Sequence, residues 1–149
     1  MYYSINNNEL SIADKEENLT AYFDNVKELP SDYEAGKYFV QDNELVLNSN
    51  WEAERAQKEQ ERICNLYLTA ADVERGIYKA KGMDFDDIVA FIAANPPQGL
   101  DIKALKIELK ANNFYRGNPY VAAIGALLGF TAEQLDKFFE DGNYEHLLV

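Results

Sequence analysis

A ten-residue phrase occurs nearly twice before residue 50, and it limits what the front of this chain can become. Tyr3-Ser4-Ile5-Asn6-Asn7-Asn8-Glu9-Leu10-Ser11-Ile12 is followed by Tyr38-Phe39-Val40-Gln41-Asp42-Asn43-Glu44-Leu45-Val46-Leu47. Both copies hold a Tyr, a β-branched residue two positions on, then Asn-Glu-Leu and an aliphatic end. Each reads as strand, polar turn, strand, the pattern of a β-hairpin. Asparagine and aspartate suit the turns because they tolerate left-handed backbone. Two hairpins alone are marginally stable, so something must cover one face. Residues 14–36 between them are acidic and polar. They predict a short helix over Leu19 to Leu29, with Leu19, Tyr22, Phe23, Val26 and Leu29 at helical spacing, broken by Pro30-Ser31-Asp32.

Residue 50 marks a shift in composition. Trp51 to Arg62 consists almost wholly of strong helix formers, preceded by Asn48-Ser49-Asn50 as candidate caps. Ala53, Ala56, Gln60, Ile63 and Tyr67 follow heptad spacing for about two heptads, short of a coiled-coil argument. A largely solvated connecting helix over 50–67 is the expectation.

The rest of the chain repeats a helix-start signature. Leu68-Thr69 with Asp72, Met83-Asp84 with Asp87, and Phe130-Thr131 with Gln134 each place an apolar residue before a cap, with an acid or amide three later. Leu100-Asp101 has the staple and the cap alone, and Asn118 caps ahead of Pro119. These starts predict helices near 69–81, 84–94, 101–112, 118–128 and 131–141, with Gly82, Gly129 and Gly142 as terminators. The segment 118–128 is apolar nearly all round and is expected to be the buried centre. The fold class is therefore α+β: a two-hairpin β module over 1–49, a connecting charged helix over 50–67, and a compact five-helix domain over 68–149.

Few residues suggest chemistry. Cys64 is the only cysteine and His146 the only histidine, so neither a zinc site nor an internal disulfide has the residues it needs. Asp84, Asp86 and Asp87 lack the alternating ligands, glycine and distant glutamate of a calcium loop, and their place at a helix start accounts for them. Tyr115 and Arg116, in the dense loop Asn112 to Pro119, have the residue types of an interaction hot spot. The competing and stronger reading packs Phe114 and Tyr115 inward and pairs Arg116 with a nearby carboxylate. No catalytic residue, metal ligand or cofactor is assigned. The candidate contact residues are Tyr3, Tyr38, Trp51, Tyr115 and Arg116.

Twenty-six acidic residues against fourteen basic ones give a formal charge of −12. Such a field repels phosphates and disfavours direct nucleic-acid binding. It suits solubility, a basic protein partner, or mimicry of nucleic acid. No apolar run reaches the length of a membrane span, and the start lacks the features of a signal peptide, so a chain kept in the cytoplasm is expected.

The order Tyr2-Tyr3-Ser4, then Gly36-Lys37-Tyr38-Phe39-Val40 with Asn43 to Asn48, then Trp51-Glu52-Ala53-Glu54, resembles small accessory proteins encoded beside tail-fibre genes in bacteriophages and prophages, especially of Gram-positive hosts. It is similar, more loosely, to tail-fibre assembly proteins, which join a small β module to an alanine- and glutamate-rich helix. Asn113 to Pro119 and Leu127 to Thr131 are similar to the helical end of such proteins. The resemblance implies a virion-associated or assembly role, with a tail or tail-fibre protein as partner, homo-oligomers as an option, and the host cytoplasm as the place of assembly. It carries over no catalytic residues. The alternative, motivated by charge, is an acidic phage-encoded inhibitor of a host nucleic-acid enzyme.

Overall fold

The computed structural model describes residues 1–148. The chain is α+β and divides into two compact units, Met1–Gln57 and a second that begins at Lys58.

In the first unit, β1 (Tyr2–Asn6) and β2 (Glu9–Ala13) form the first hairpin, and β4 (Tyr38–Gln41) and β5 (Glu44–Leu47) form the second. Their registers coincide position for position. Tyr3 faces Ile12 and Ile5 faces Leu10 in one copy; Tyr38 faces Leu47 and Val40 faces Leu45 in the other. Both turns have two central residues at positive φ, Asn7 and Asn8 (53° and 63°) and Asp42 and Asn43 (53° and 60°). Two left-handed residues in a two-residue loop define a type I′ turn, whose twist matches that of the strands. The repeated phrase is thus a repeat of three-dimensional register, set by turn chemistry.

The helix expected over Leu19 to Leu29 is shorter than its periodicity suggests. Helix α1 spans Glu17–Thr20, and a strand, β3 (Lys27–Glu28), pairs antiparallel with β1. Leu19 and Leu29 are buried, while Tyr22 is exposed. The reason is competition for the outer edge of β1. Leu29 N–H donates to Met1 O at 2.9 Å, Lys27 faces Tyr3, and Asn25 Nδ2 donates to Ile5 O at 3.0 Å. Extending the helix would leave those main-chain groups unpaired. Ile5, Leu19 and Leu29 are the buried hydrophobic side chains of this unit.

Helix α2 (Trp51–Cys64) buries none of its side chains and crosses the division between the units. It ends three residues before the expected 67, because Tyr67 belongs to a strand.

The second unit begins with that strand, β6 (Tyr67–Thr69), and continues with α3 (Ala70–Lys81), α4 (Phe85–Ala94), α5 (Ile102–Glu108), β7 (Asn113–Tyr115), α6 (Pro119–Leu127), α7 (Ala132–Asp141) and a 3-10 turn over Tyr144–Leu147. All five expected caps form. Thr69 accepts from Asp72 N–H, Asp101 from the amides of Lys103 and Ala104, and Asn118 from Tyr120 N–H. Asp84 with Asp87, and Thr131 with Gln134, close reciprocal capping boxes. Gly82 and Gly142 end α3 and α7 in the left-handed conformation.

Two expectations fail here. The helix expected over 101–112 ends at Glu108, and Asn113–Tyr115 of the expected loop form a strand. Antiparallel pairing sets Leu68 opposite Phe114, with Arg116 N–H donating to Leu66 O at 2.8 Å and Ala70 N–H to Asn112 O at 2.9 Å. Each strand contributes three residues, and the partner lies more than forty positions away, so local pattern reveals neither. Helix α6 is not enclosed on all sides either: Ile124 and Gly125 are buried, whereas Ala122 and Ala126 face outward. Its small residues make it apolar without making it central. The deepest side chains are Phe138, Ile88, Ile92 and Leu105.

Among the described residues, thirteen buried hydrophobic side chains form this core. Gly76 of α3 lies so close to Phe138 that a Cβ there would sit 2.4 Å from its Cζ. Overpacking of this kind costs about 1–3 kcal/mol, which exceeds the gain of about 1 kcal/mol from alanine's helix propensity. Gly76→Ala is therefore expected to lower the unfolding midpoint of this unit in thermal denaturation. An unchanged or raised midpoint would contradict the packing described.

Candidate interaction surface

Both hairpins turn on asparagines that hold each other. Asn8 N–H donates to Asn43 Oδ1 at 2.8 Å, and Asn43 N–H donates to Asn8 Oδ1 at 2.8 Å. The two residues occupy equivalent positions in the repeated phrase and share the left-handed backbone that aims their amides outward. Equivalent residues thus make reciprocal bonds across a local two-fold relation. In the sequence they read only as turn formers. The detectable signal was that Asn stands at the same place in both copies.

Strand edges follow from the turns. In a two-residue hairpin the pair flanking the loop is hydrogen-bonded, and the pattern then alternates. Asn6–Glu9 and Gln41–Glu44 are those pairs. The alternation continues to Asn48, whose N–H donates to Lys37 O at 2.8 Å. Hence Leu10 and Ile12 in β2, and Leu45 and Leu47 in β5, turn their main-chain groups away from their own hairpins. Among the described residues these two outer edges carry no main-chain partner. The outer edge of β1 is occupied by β3 and Asn25, and β4 meets Ala35 through a bridge at Tyr38. Ile12, Phe39 and Leu47 are exposed on these hairpins.

The candidate contact residues have distinct surroundings. Tyr3 is half-buried in the central strand of the sheet, opposite Ile12 on one side and Lys27 on the other. Tyr38 is half-buried, stacks on Tyr33 at 5.9 Å between ring centroids, and donates its hydroxyl to Asp32 Oδ1 at 2.9 Å. Trp51 packs on Gly36, where a Cβ would lie 3.0 Å from the indole, and Gly36 has a φ of +88°. Tyr115 is 50% exposed on β7 and pairs with Tyr67, ring centroids 5.6 Å apart. Arg116 is engaged: its side chain is 13% exposed, and Nε donates to Asp136 Oδ1 at 2.7 Å. Phe114 packs inward and Tyr115 does not, so the competing reading of this segment holds for Phe114 and Arg116 alone.

Asp32 organises the loop before β4. It accepts from Lys37 Nζ at 2.7 Å and from Tyr38. The Lys37 bond first, and then the Tyr38 bond, hold its carboxyl below the ordinary 3.8. The same bonds raise Lys37 above 10.5 and Tyr38 above 10.0. A lowered carboxyl pKa contributes stability above the ordinary carboxyl range, lost as pH falls through the lowered value. The raised Lys37 and Tyr38 contribute below their ordinary values and lose that contribution as pH rises through the raised ones.

His146, Cys64, Asp84 and Asp87 serve local structure. His146 Nε2 lies 2.9 Å from Asp141 Oδ2, and the Cys64 thiol accepts from Gln60 Nε2 at 3.3 Å. Asp84 and Asp87 are spent on their capping box. Among the described residues no cluster of His, Cys, Asp or Glu is arranged to hold a metal ion, and no helix is long and apolar enough to cross a membrane. A cavity of about 40 Å³ within the helical core is lined by apolar side chains including Ile77, Ile88, Ile124 and Phe138. It has room for a water molecule but no polar partner for one. Compared with protein-family models, curated proteins and solved structures, the chain matches none.

Two substitutions at Asn43 separate the bond from the backbone. Asn43→Gly keeps the left-handed turn and loses one exposed hydrogen bond, a cost of about 0.5–1 kcal/mol. Asn43→Ala adds strain of roughly 1–2 kcal/mol at positive φ. Unfolding followed by the fluorescence of Trp51, the sole tryptophan, is expected to rank wild type above Gly above Ala. Asp32→Asn is expected to return the Tyr38 hydroxyl toward its ordinary titration range. An NMR titration of the tyrosine ring signals measures this, and an unmoved Tyr38 curve would refute the role given to Asp32.

Proposed function

We propose that this chain is a non-enzymatic accessory protein of a bacteriophage or prophage tail or tail fibre, structural or assembly-related, that acts through protein–protein contacts. The observation that carries the reading is the pair of clasped hairpins with unpaired outer strands, β2 and β5. An open strand edge is a template for another chain, so proteins without a use for one usually cover it or blunt it. Here β1 is covered by β3, while among the described residues the outer edges of β2 and β5 have no main-chain partner. Exposed Ile12, Phe39 and Leu47 add apolar contact area at the same hairpins. The resemblance of the opening phrases and the charged helix to tail-fibre-associated proteins supplies the biological setting.

An acidic inhibitor of a host nucleic-acid enzyme is the second reading. It draws on the imbalance of the first unit, where twelve carboxylates stand against four cations, Lys15, Lys27, Lys37 and Arg55. Competition with DNA for a nuclease or polymerase would favour it.

Light scattering coupled to size exclusion tests the leading reading, with the protein alone and mixed with tail-fibre fragments. A complex of defined stoichiometry is expected. A strict monomer that binds no tail component would overturn the proposal.

A further inference from the structure

The two open edges are equivalent, and their chemistry narrows what they can accept. Each belongs to the second strand of a repeat copy, follows the asparagine clasp directly, and begins with an exposed glutamate, Glu9 in β2 and Glu44 in β5. Each presents outward main-chain groups from two aliphatic residues, Leu10 and Ile12 or Leu45 and Leu47, by the alternation of antiparallel pairs. The surrounding unit carries twelve acidic and four basic residues within 57 positions. We propose that β2 and β5 are twin strand-addition sites, each taking an extended segment of a basic protein in which Lys or Arg alternates with apolar residues.

Charge selects this occupant over the obvious rival, a second copy of the chain. Pairing two copies edge to edge would bring two such acidic units together, with Glu9 or Glu44 of each copy near like charge. A cationic strand meets the same edges with attraction, and its main chain supplies the missing hydrogen bonds. Two weak sites joined through the clasp at their hairpin tips also favour a partner with two such segments, since the second engagement is intramolecular. The inference rests on the protein-contact reading above and names the edges and the partner chemistry for it.

The test uses the full chain and a synthetic ten-residue peptide of alternating lysine and valine. Two-dimensional amide NMR is expected to show saturable shifts at Leu10, Ile12, Leu45 and Leu47, with one peptide on each edge. Affinity is expected to fall roughly tenfold as salt rises from low to above physiological strength. The same peptide with glutamate for lysine, or with alternate main-chain amides methylated, is expected to fail. Ile12→Pro and Leu47→Pro each remove an outward N–H without breaking the internal ladder, and each is expected to leave one site. Should either variant not fold, the methylated peptide decides the matter on the wild-type chain. Shifts confined to residues outside these edges, equal binding of the glutamate peptide, or a homodimer that protects these amides without peptide would each overturn the proposal. A tail-fibre fragment that binds without disturbing these four amides would overturn the edge assignment and leave the accessory reading standing. Peptide binding here with no tail component bound would do the reverse.

Discussion

Fifty-seven residues that bury three hydrophobic side chains cannot be held together by a core, and the architecture of the first unit follows from that shortage. Each buried aliphatic side chain contributes about 1.5–3 kcal/mol, little against the cost of ordering so much backbone. Directed polar contacts take over. Type I′ turns fix the two registers, the Asn8–Asn43 clasp joins the tips, Asn25 binds both Ser4 and the Ile5 carbonyl, and Asp32 gathers Lys37 and Tyr38. Such contacts hold a surface in place without hiding it. The second unit reverses the balance, with thirteen buried hydrophobic residues around Phe138 and stapled, capped helix starts.

This contrast bears on function. The proposed contact role draws on it: the first unit has two strand edges without main-chain partners and exposed Ile12, Phe39 and Leu47, whereas the second has a larger core of its own. Most of the carboxylate excess lies in the same unit, with twelve acidic residues against four basic ones. Under the proposed reading, negative charge keeps open edges of identical chains apart and leaves them available to a cationic strand.

What the sequence discloses, it discloses through local physics. Three helix starts are legible because a cap, its partner three residues on and a flanking apolar pair lie within six residues, and two more because Asp101 follows an apolar staple residue and Asn118 precedes Pro119. The hairpins are legible because alternation and asparagine turns are short-range signals. Strands β3, β6 and β7 are not, since each has two or three residues and depends on a partner distant in the chain. Leu19 to Leu29 has helical spacing, yet the unpaired outer edge of β1 recruits Lys27, Glu28 and Leu29 instead. The clasp was half legible: the repeat displayed Asn8 and Asn43 at one position, but only the fold brings them face to face. Tyr115 and Arg116 share a segment and separate in role, because strand alternation and Asp136 treat them differently.

Amide hydrogen exchange on the intact chain tests the central claim most directly, that two hairpins of one register are clasped at their tips with their second strands open. The Asn8 and Asn43 amides are expected to be protected although they lie at exposed loop tips. The amides of Leu10, Ile12, Leu45 and Leu47 are expected to exchange far faster than those of Ser11 and Val46 beside them. Unprotected Asn8 and Asn43, or protected Leu45 and Leu47, would contradict the account.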